Sequence, residues 1–288
     1  MRNVDLRVLE DVVVRIQRLR GRLVSQQRGA PPVFDDNNSF VLEIDSAEIA
    51  MATPDLGRLM NEYVFAYPGS PLKKLDFSII GTELRQDGVV RKGVDVPFTV
   101  IGGLTTTPEG KIRFHAREIK AAGVPVRGLL EFFGLELDRL VKLKGAAAVR
   151  LEGNDLLLDP ETLLPPPRIR GKVTEVRLEG DRLVEVFGSA RKRGRDELLP
   201  SPPVPENFLY FRENVLRFGK LTMTGADLLI YDADPSDPFD FFQERYNDQL
   251  VAGYSKNTPD HGLRVVMPDF GDLDRVRAEG GLRPDRPQ

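Results

Sequence analysis

A chain of 288 residues has room for one large domain or two modest ones, and its 41% hydrophobic and 30% charged content is that of a folded protein rather than a disordered one. With 41 basic and 44 acidic residues and a formal charge of -3, it lacks the concentrated positive field that a phosphate backbone needs, so nucleic acid is not an expected partner. Zero cysteines exclude disulfides, thiol nucleophiles and Cys-based metal sites. Two histidines, His115 and His261, cannot build a three-imidazole centre.

Residues 1–30 carry Arg2, Asp5, Arg7, Glu10, Asp11 and Arg15, which leaves no apolar core for a signal peptide and no membrane span. Read as complete, the chain is expected in the cytoplasm. With a leader ahead of Met1 it would be periplasmic or membrane-associated outside the cytoplasm.

Val12, Val14 and Ile16 alternate with Val13, Arg15 and Gln17, which predicts a strand. Phe40, Leu42 and Ile44 predict a second one after the turn at Pro31-Pro32. Thr53-Pro54-Asp55 carries helix-start signals, and Leu56, Leu59, Met60, Tyr63 and Val64 follow at one-face spacing. Strands resume at Leu75, Phe77 and Ile79. Next comes Thr82 to Val90, with Asp87-Gly88 read as a hairpin turn. Val94 to Val100 follows, where Pro97 points to an edge or a bulge, and then Lys111 to Ala116.

Val126 to Leu143 is the most helical stretch, with apolar residues on nearly all sides of its first half. Strand pairs then flank Gly153-Asn154-Asp155 and Glu179-Gly180-Asp181. Residues 189–206 gather Arg191, Lys192, Arg193 and Arg195 ahead of four prolines, the composition of a linker. Strands at 215–223 and 226–231, a helix-like Phe239–Tyr246 and a strand at 263–267 complete a C-terminal extension over 207–270. Residues 271–288 read as a charged, glycine-rich flexible tail.

The segment Asp232 to Asp240 is the one local pattern that looks like a site. Asp232, Asp234, Asp237 and Asp240 can offer hard oxygen ligands to calcium, although the EF-hand glycine and glutamate are missing. Turn formation and helix capping explain the same residues without a metal. His115 shares a strand face with Arg113, a solvent-facing setting, and His261 sits in a turn-like Thr-Pro-Asp-His-Gly. There is no Gly-x-Ser-x-Gly elbow and no phosphate-cradling glycine motif, so no catalytic residue is nominated, no cofactor is expected and the chain reads as a non-enzyme. The basic cluster near Arg191 offers contact with a membrane surface, but with only four charges and no amphipathic helix a solvated linker is the plainer account.

From about Phe40 to Gly188 the order of elements resembles the bacterial branch of the tubular lipid-binding (TULIP-like) superfamily. The resemblance is carried by a strand into a short helix at 46–63 and by Gly-Val-Pro-Val…Leu-Leu…Phe-Gly-Leu at 123–135. It continues through Val-Arg-Leu-Glu-Gly-Asn-Asp-Leu-Leu-Leu-Asp-Pro at 149–160, then Leu-Pro-Pro-Pro and the strand pair 171–187. It covers about half the chain and has no counterpart for the C-terminal part.

The resemblance implies an α+β fold in which a strongly curved, mostly antiparallel sheet wraps around helices. It also implies non-enzymatic binding or transport of a lipid or other apolar ligand in the bacterial envelope. On that reading a domain at 1–188 carries the cavity. Phe77, Ile79, Phe98, Val100, Phe114, Leu130, Phe133, Leu156, Leu158 and Val176 would line it, and ordinary core packing is the plainer role for each. A structural or protein-interaction module with a packed core is the alternative. Nothing in the sequence speaks to the oligomeric state.

Overall fold

The structure is a computed structural model that describes residues 1–121, 149–153, 155–188, 199–212 and 215–284. Strand accounts for 53% and helix for 14%, so the chain is mainly β, and helices only punctuate its sheets. The expected helix over 126–143, with Leu130 and Phe133, lies outside the described residues. No described helix is long and apolar enough to cross a membrane.

The chain divides into two compact units that cut across the sequence boundaries. One is built from 1–49 with 189–288, and 50–188 is inserted between its parts. In place of a 1–188 domain with a C-terminal extension, the first 49 residues fold with the C-terminal hundred. The reason is backbone pairing that no local pattern announces, described below.

In the first unit, β1 (Arg2–Leu9) and β2 (Val12–Ser25) form an antiparallel hairpin, and β3 (Phe40–Ala52) runs on into the second unit. Val12, Val14 and Ile16 are buried as their alternation requires, while Val13 and Arg15 are half-buried and Gln17 is exposed.

The second unit begins with α1 (Thr53–Leu59), continued by a π-helical turn at Met60–Val64. Leu56, Leu59, Met60 and Val64 are buried, as the spacing predicts. Six strands follow in one curled antiparallel half-barrel sheet: β4 (Leu72–Ile80), β5 (Glu83–Lys92), β6 (Val94–Thr106), β7 (Ile112–Ala121), β8 (Val149–Glu152) and β9 (Asp155–Leu158). Their order is β4-β5-β6-β7-β9-β8.

Two expectations fail in this sheet. Gly88 is no hairpin turn: β5 runs unbroken through it, opposite Phe98, and the chain turns instead at Gly81 and Gly93, both at positive φ. A side chain at Gly88 would meet Phe98 and Leu75 at 2.8 Å, so the glycine serves packing and not a turn. Pro97 lies in an interior strand, not an edge one. It pairs with Val89 of β5, and among the described residues the pairing of β6 with β7 begins at Phe98.

A short helix α2 (Pro160–Leu163), capped by the Asp159 carboxylate, leads to β10 (Arg168–Arg170). The hairpin of β11 (Val173–Glu179) and β12 (Arg182–Phe187) completes the unit.

The chain returns to the first unit with β13 (Phe208–Arg212), the small hairpin β14 (Leu216–Phe218) and β15 (Leu221–Met223), and β16 (Asp227–Asp232). Phe239–Phe242, expected to be helical, is instead strand β17, laid parallel to β1 from Val4↔Phe239 to Arg7↔Phe242. Four residues with three phenylalanines suit a pleated, half-covered surface better than a solvated helix. The helix α3 starts later, at Tyr246–Ala252, after a short 3-10 turn.

β18 (Tyr254–Asn257) and β19 (Leu263–Met267) add the far edge. β13 pairs with both β1 and β16, and β16 runs parallel to β19, which ties the two ends of the chain together. Inside, Phe34 packs against Phe211, Phe218, Phe241 and Tyr246, with ring centroids 5.1–6.2 Å apart. The segment read as a frayed tail carries α4 (Leu273–Ala278), whose Leu273 and Val276 bury against Ala252, with Leu282 packed on the same cluster.

Candidate functional site

The curled sheet of the 50–188 unit has two chemically distinct faces. Cross-strand partners point the same way, so the register decides which residues share a side. Phe77, Gln86, Val100 and Ile119 form one rung across β4 to β7. Phe98 faces Gly88, Leu104 faces Phe114, Phe114 faces Leu156 and Ile112 faces Leu158 on the same side. Seven sequence-nominated residues therefore fall on one face: Phe77, Ile79, Phe98, Val100, Phe114, Leu156 and Leu158. Phe77, Phe98, Val100 and Phe114 are buried, and Ile79, Leu156 and Leu158 are half-buried. Over part of β4 the cover is α1, where Gly57 lets the helix approach to 3.3 Å from the Leu75 carbonyl measured from a would-be Cβ.

The opposite face is a lattice of charges. Arg85 forks onto Asp87 at 2.6 and 2.9 Å, and the Thr99 hydroxyl donates to Asp87 at 2.6 Å. His115 Nδ1 stands 2.5 Å from Asp155 and Arg117 pairs with Glu83 at 3.1 Å. With His115 57% exposed on this face, the solvent-facing reading fits its position.

Val176 lies apart from the seven, on β11, where it pairs with Glu185 of β12. The sequence reading overlooked Glu185. It stands between the buried Val184 and Val186, and burial pushes its carboxyl up to about 7. An acid interrupting the run Leu-Val-Glu-Val-Phe was the available signal.

In the first unit the acidic loop closes differently from its expected four-aspartate form. Asp232 is buried at the end of β16, and its oxygens accept the Asp234 N–H at 2.9 Å and the Asn207 amide at 3.2 Å. Asn207, itself buried, also donates to the Asp234 and Asp237 carbonyls and thereby sets the loop's shape. Asp234 turns away to accept the Ser236 N–H. Asp240 is held by Arg7 in a fork at 2.6 and 2.8 Å and accepts the Gly271 N–H. Asp234 and Asp240, held in these ways, are not among the carboxylates whose oxygens converge.

Asp269 takes their place. Its carboxylate, with those of Asp232 and Asp237, offers oxygens that all lie within 4.8 Å of one another. Burial, then the nearby charge of Asp232, pushes Asp269 up to about 8, and burial pushes Asp232 up to about 6. Asp269 can hold a proton at neutral pH, and the three carboxylates can offer hard ligands to a calcium-sized cation. No local sequence signal marks Asp269. It reaches Asp232 because β19 lies parallel beside β16, with Met267 opposite Asp232.

Comparison with protein-family models, curated proteins and solved structures returns no match to this chain.

Proposed function

We propose that the 50–188 unit binds a lipid or another apolar ligand and does so without chemistry, the ligand lying against the apolar face of the curled sheet. The observation that supports this is the register. It collects Phe77, Ile79, Phe98, Val100, Phe114, Leu156 and Leu158 on one face of a single sheet, while arginines and carboxylates occupy the other. Three of the seven retain accessible surface, the aliphatic Ile79, Leu156 and Leu158. An acyl chain laid there would leave water for side chains that need no reorganisation, at roughly 25 cal/mol per Å2 of apolar surface covered. The family resemblance read from residues 40–188 points the same way.

The test uses the full chain, gently purified. Organic extraction followed by mass spectrometry is expected to recover a co-purifying lipid, and titration with a fluorescent fatty acid is expected to saturate. A protein that carries no lipid and leaves the fatty acid's emission unchanged would leave the packed interaction module as the better reading.

A further inference from the structure

The 50–188 unit contains a cleft of about 650 Å3 where the chain leaves the π-helical turn and enters β4. Its lining includes Lys73, Lys74 and Arg91 and no carboxylate residue, while Phe65 and Leu72 supply buried apolar wall. The size is that of a small-molecule site.

A bulge in β4 gathers the cations. The register shifts between Lys73, opposite Val89, and Asp76, opposite Asp87. In a regular strand Leu72 and Leu75, three apart, would face opposite ways. The extra residue lets both be buried, and it leaves Lys73 and Lys74 side by side and exposed. Lys74 carries the bulge at a φ of 52°, a left-handed conformation that L side chains seldom adopt. Among the described residues neither lysine has an acidic partner, and Arg91 meets only the exposed Asp95 at 3.0 Å, which is not part of the lining. Leu72 lines the cleft and, opposite Val90, belongs to the apolar side of the sheet, while Lys73, opposite Val89, and Arg91, opposite Asp95, belong to the other, so the cleft is a cationic site at the β4 edge with an apolar wall of its own.

We propose that this cleft receives the anionic phosphate head of an amphiphile whose first carbons lie against Phe65 and Leu72. The inference rests on the reading of the 50–188 unit as an apolar-ligand binder. A guanidinium and two ammonium groups suit a phosphate, and the adjoining apolar wall suits the first carbons of a tail.

Calorimetric titration of the full chain with dodecyl phosphate, dodecanol and inorganic phosphate separates the possibilities. Dodecyl phosphate is expected to bind about tenfold more tightly than dodecanol, from charge-assisted hydrogen bonds at a half-open site. That difference is expected to vanish in the double variant Lys73→Gln, Lys74→Asn, where asparagine tolerates the left-handed backbone. Dodecanol affinity and the melting temperature are expected to stay unchanged in the variant. Equal binding of the two alkyl ligands to the unaltered chain overturns the head-group inference while sparing the apolar reading, as does a preference that survives the double substitution. Inorganic phosphate binding as tightly as dodecyl phosphate assigns the cleft to a free anion and also overturns it. Failure of both alkyl ligands removes the apolar reading itself.

Discussion

Asp232 and Asp269, at the ends of the neighbouring parallel strands β16 and β19, bring their carboxylate oxygens within 4.8 Å of each other. Both groups sit well above the ordinary aspartate value of 3.8, at about 6 and about 8. A carboxyl raised in the folded state holds its proton more tightly there than in the unfolded chain. Its contribution favours folding while that proton is bound and fades as pH climbs through the folded value. Melting temperature is therefore expected to fall between about pH 5 and pH 8. Asp269→Asn keeps an acceptor for the Asp240 N–H, which Asp269 now receives at 2.6 Å, and is expected to flatten that fall. At pH 8 the variant should gain at least about 1 kcal/mol, roughly 2–4 °C. Identical melting profiles for the two proteins would show that the pair does not titrate in this range. Repeating the scans with calcium and with chelator reads the metal. A rise at pH 8 that Asp269→Asn abolishes assigns the trio to a cation, and superimposable curves leave it to its protons.

Asn207 organises this loop through one buried amide that serves Asp232 and the carbonyls of Asp234 and Asp237. Asn207→Ala removes the donor and leaves the buried Asp232 carboxylate one partner short, which costs about 1–3 kcal/mol. Urea denaturation should show a lower midpoint with an unchanged slope. A midpoint within error of the parent would mean that water replaces the amide at no cost.

Two glycines of the β5–β6 region, Gly88 and Gly103, make a controlled comparison. A Cβ at Gly88 would crowd Leu75 and Phe98 at 2.8 Å, whereas one at Gly103 finds open space. Gly88→Ala is expected to destabilise by about 1–3 kcal/mol through overpacking. Gly103→Ala, which restricts the unfolded chain, is expected to be neutral or to stabilise by about 0.5 kcal/mol. Equal effects at the two positions would contradict the packing assigned to the apolar face.

Glu185 tests burial in the other unit. Its carboxyl is raised from an ordinary 4.5 to about 7 by burial alone. Glu185→Gln is therefore expected to raise stability above pH 7 and to change little at pH 5, where the native group already carries its proton. A stability gain of the same size at both values would point to packing and not to ionisation.

Alternation and turn residues made many of the strands legible. Val12, Val14 and Ile16, then Phe98 and Val100, then Ile112 and Phe114 all bury on the side their spacing predicts. That pattern is local, since a two-residue period needs only a neighbouring strand on which to act. Gly88 and Pro97 misled because each is read from its own segment as a breaker, yet each is set by its partner on the neighbouring strand, Phe98 and Val89. Phe239–Phe242 misled because four apolar residues are too few to separate a 2.0 from a 3.6 period.

By itself the sequence determined the absence of thiol chemistry, the balance of charge, the strand-rich character and the apolar side chains of the 50–188 sheet. Only tertiary structure decided that residues 1–49 belong with the C-terminal hundred, that Asp269 and not Asp240 joins Asp232 and Asp237, and that two lysines emerge together beside a cleft. Composition and periodicity follow from single residues and their near neighbours. Strand partnership, register and a one-residue bulge are choices among long-range pairings, and those are settled by the free energy of the whole fold.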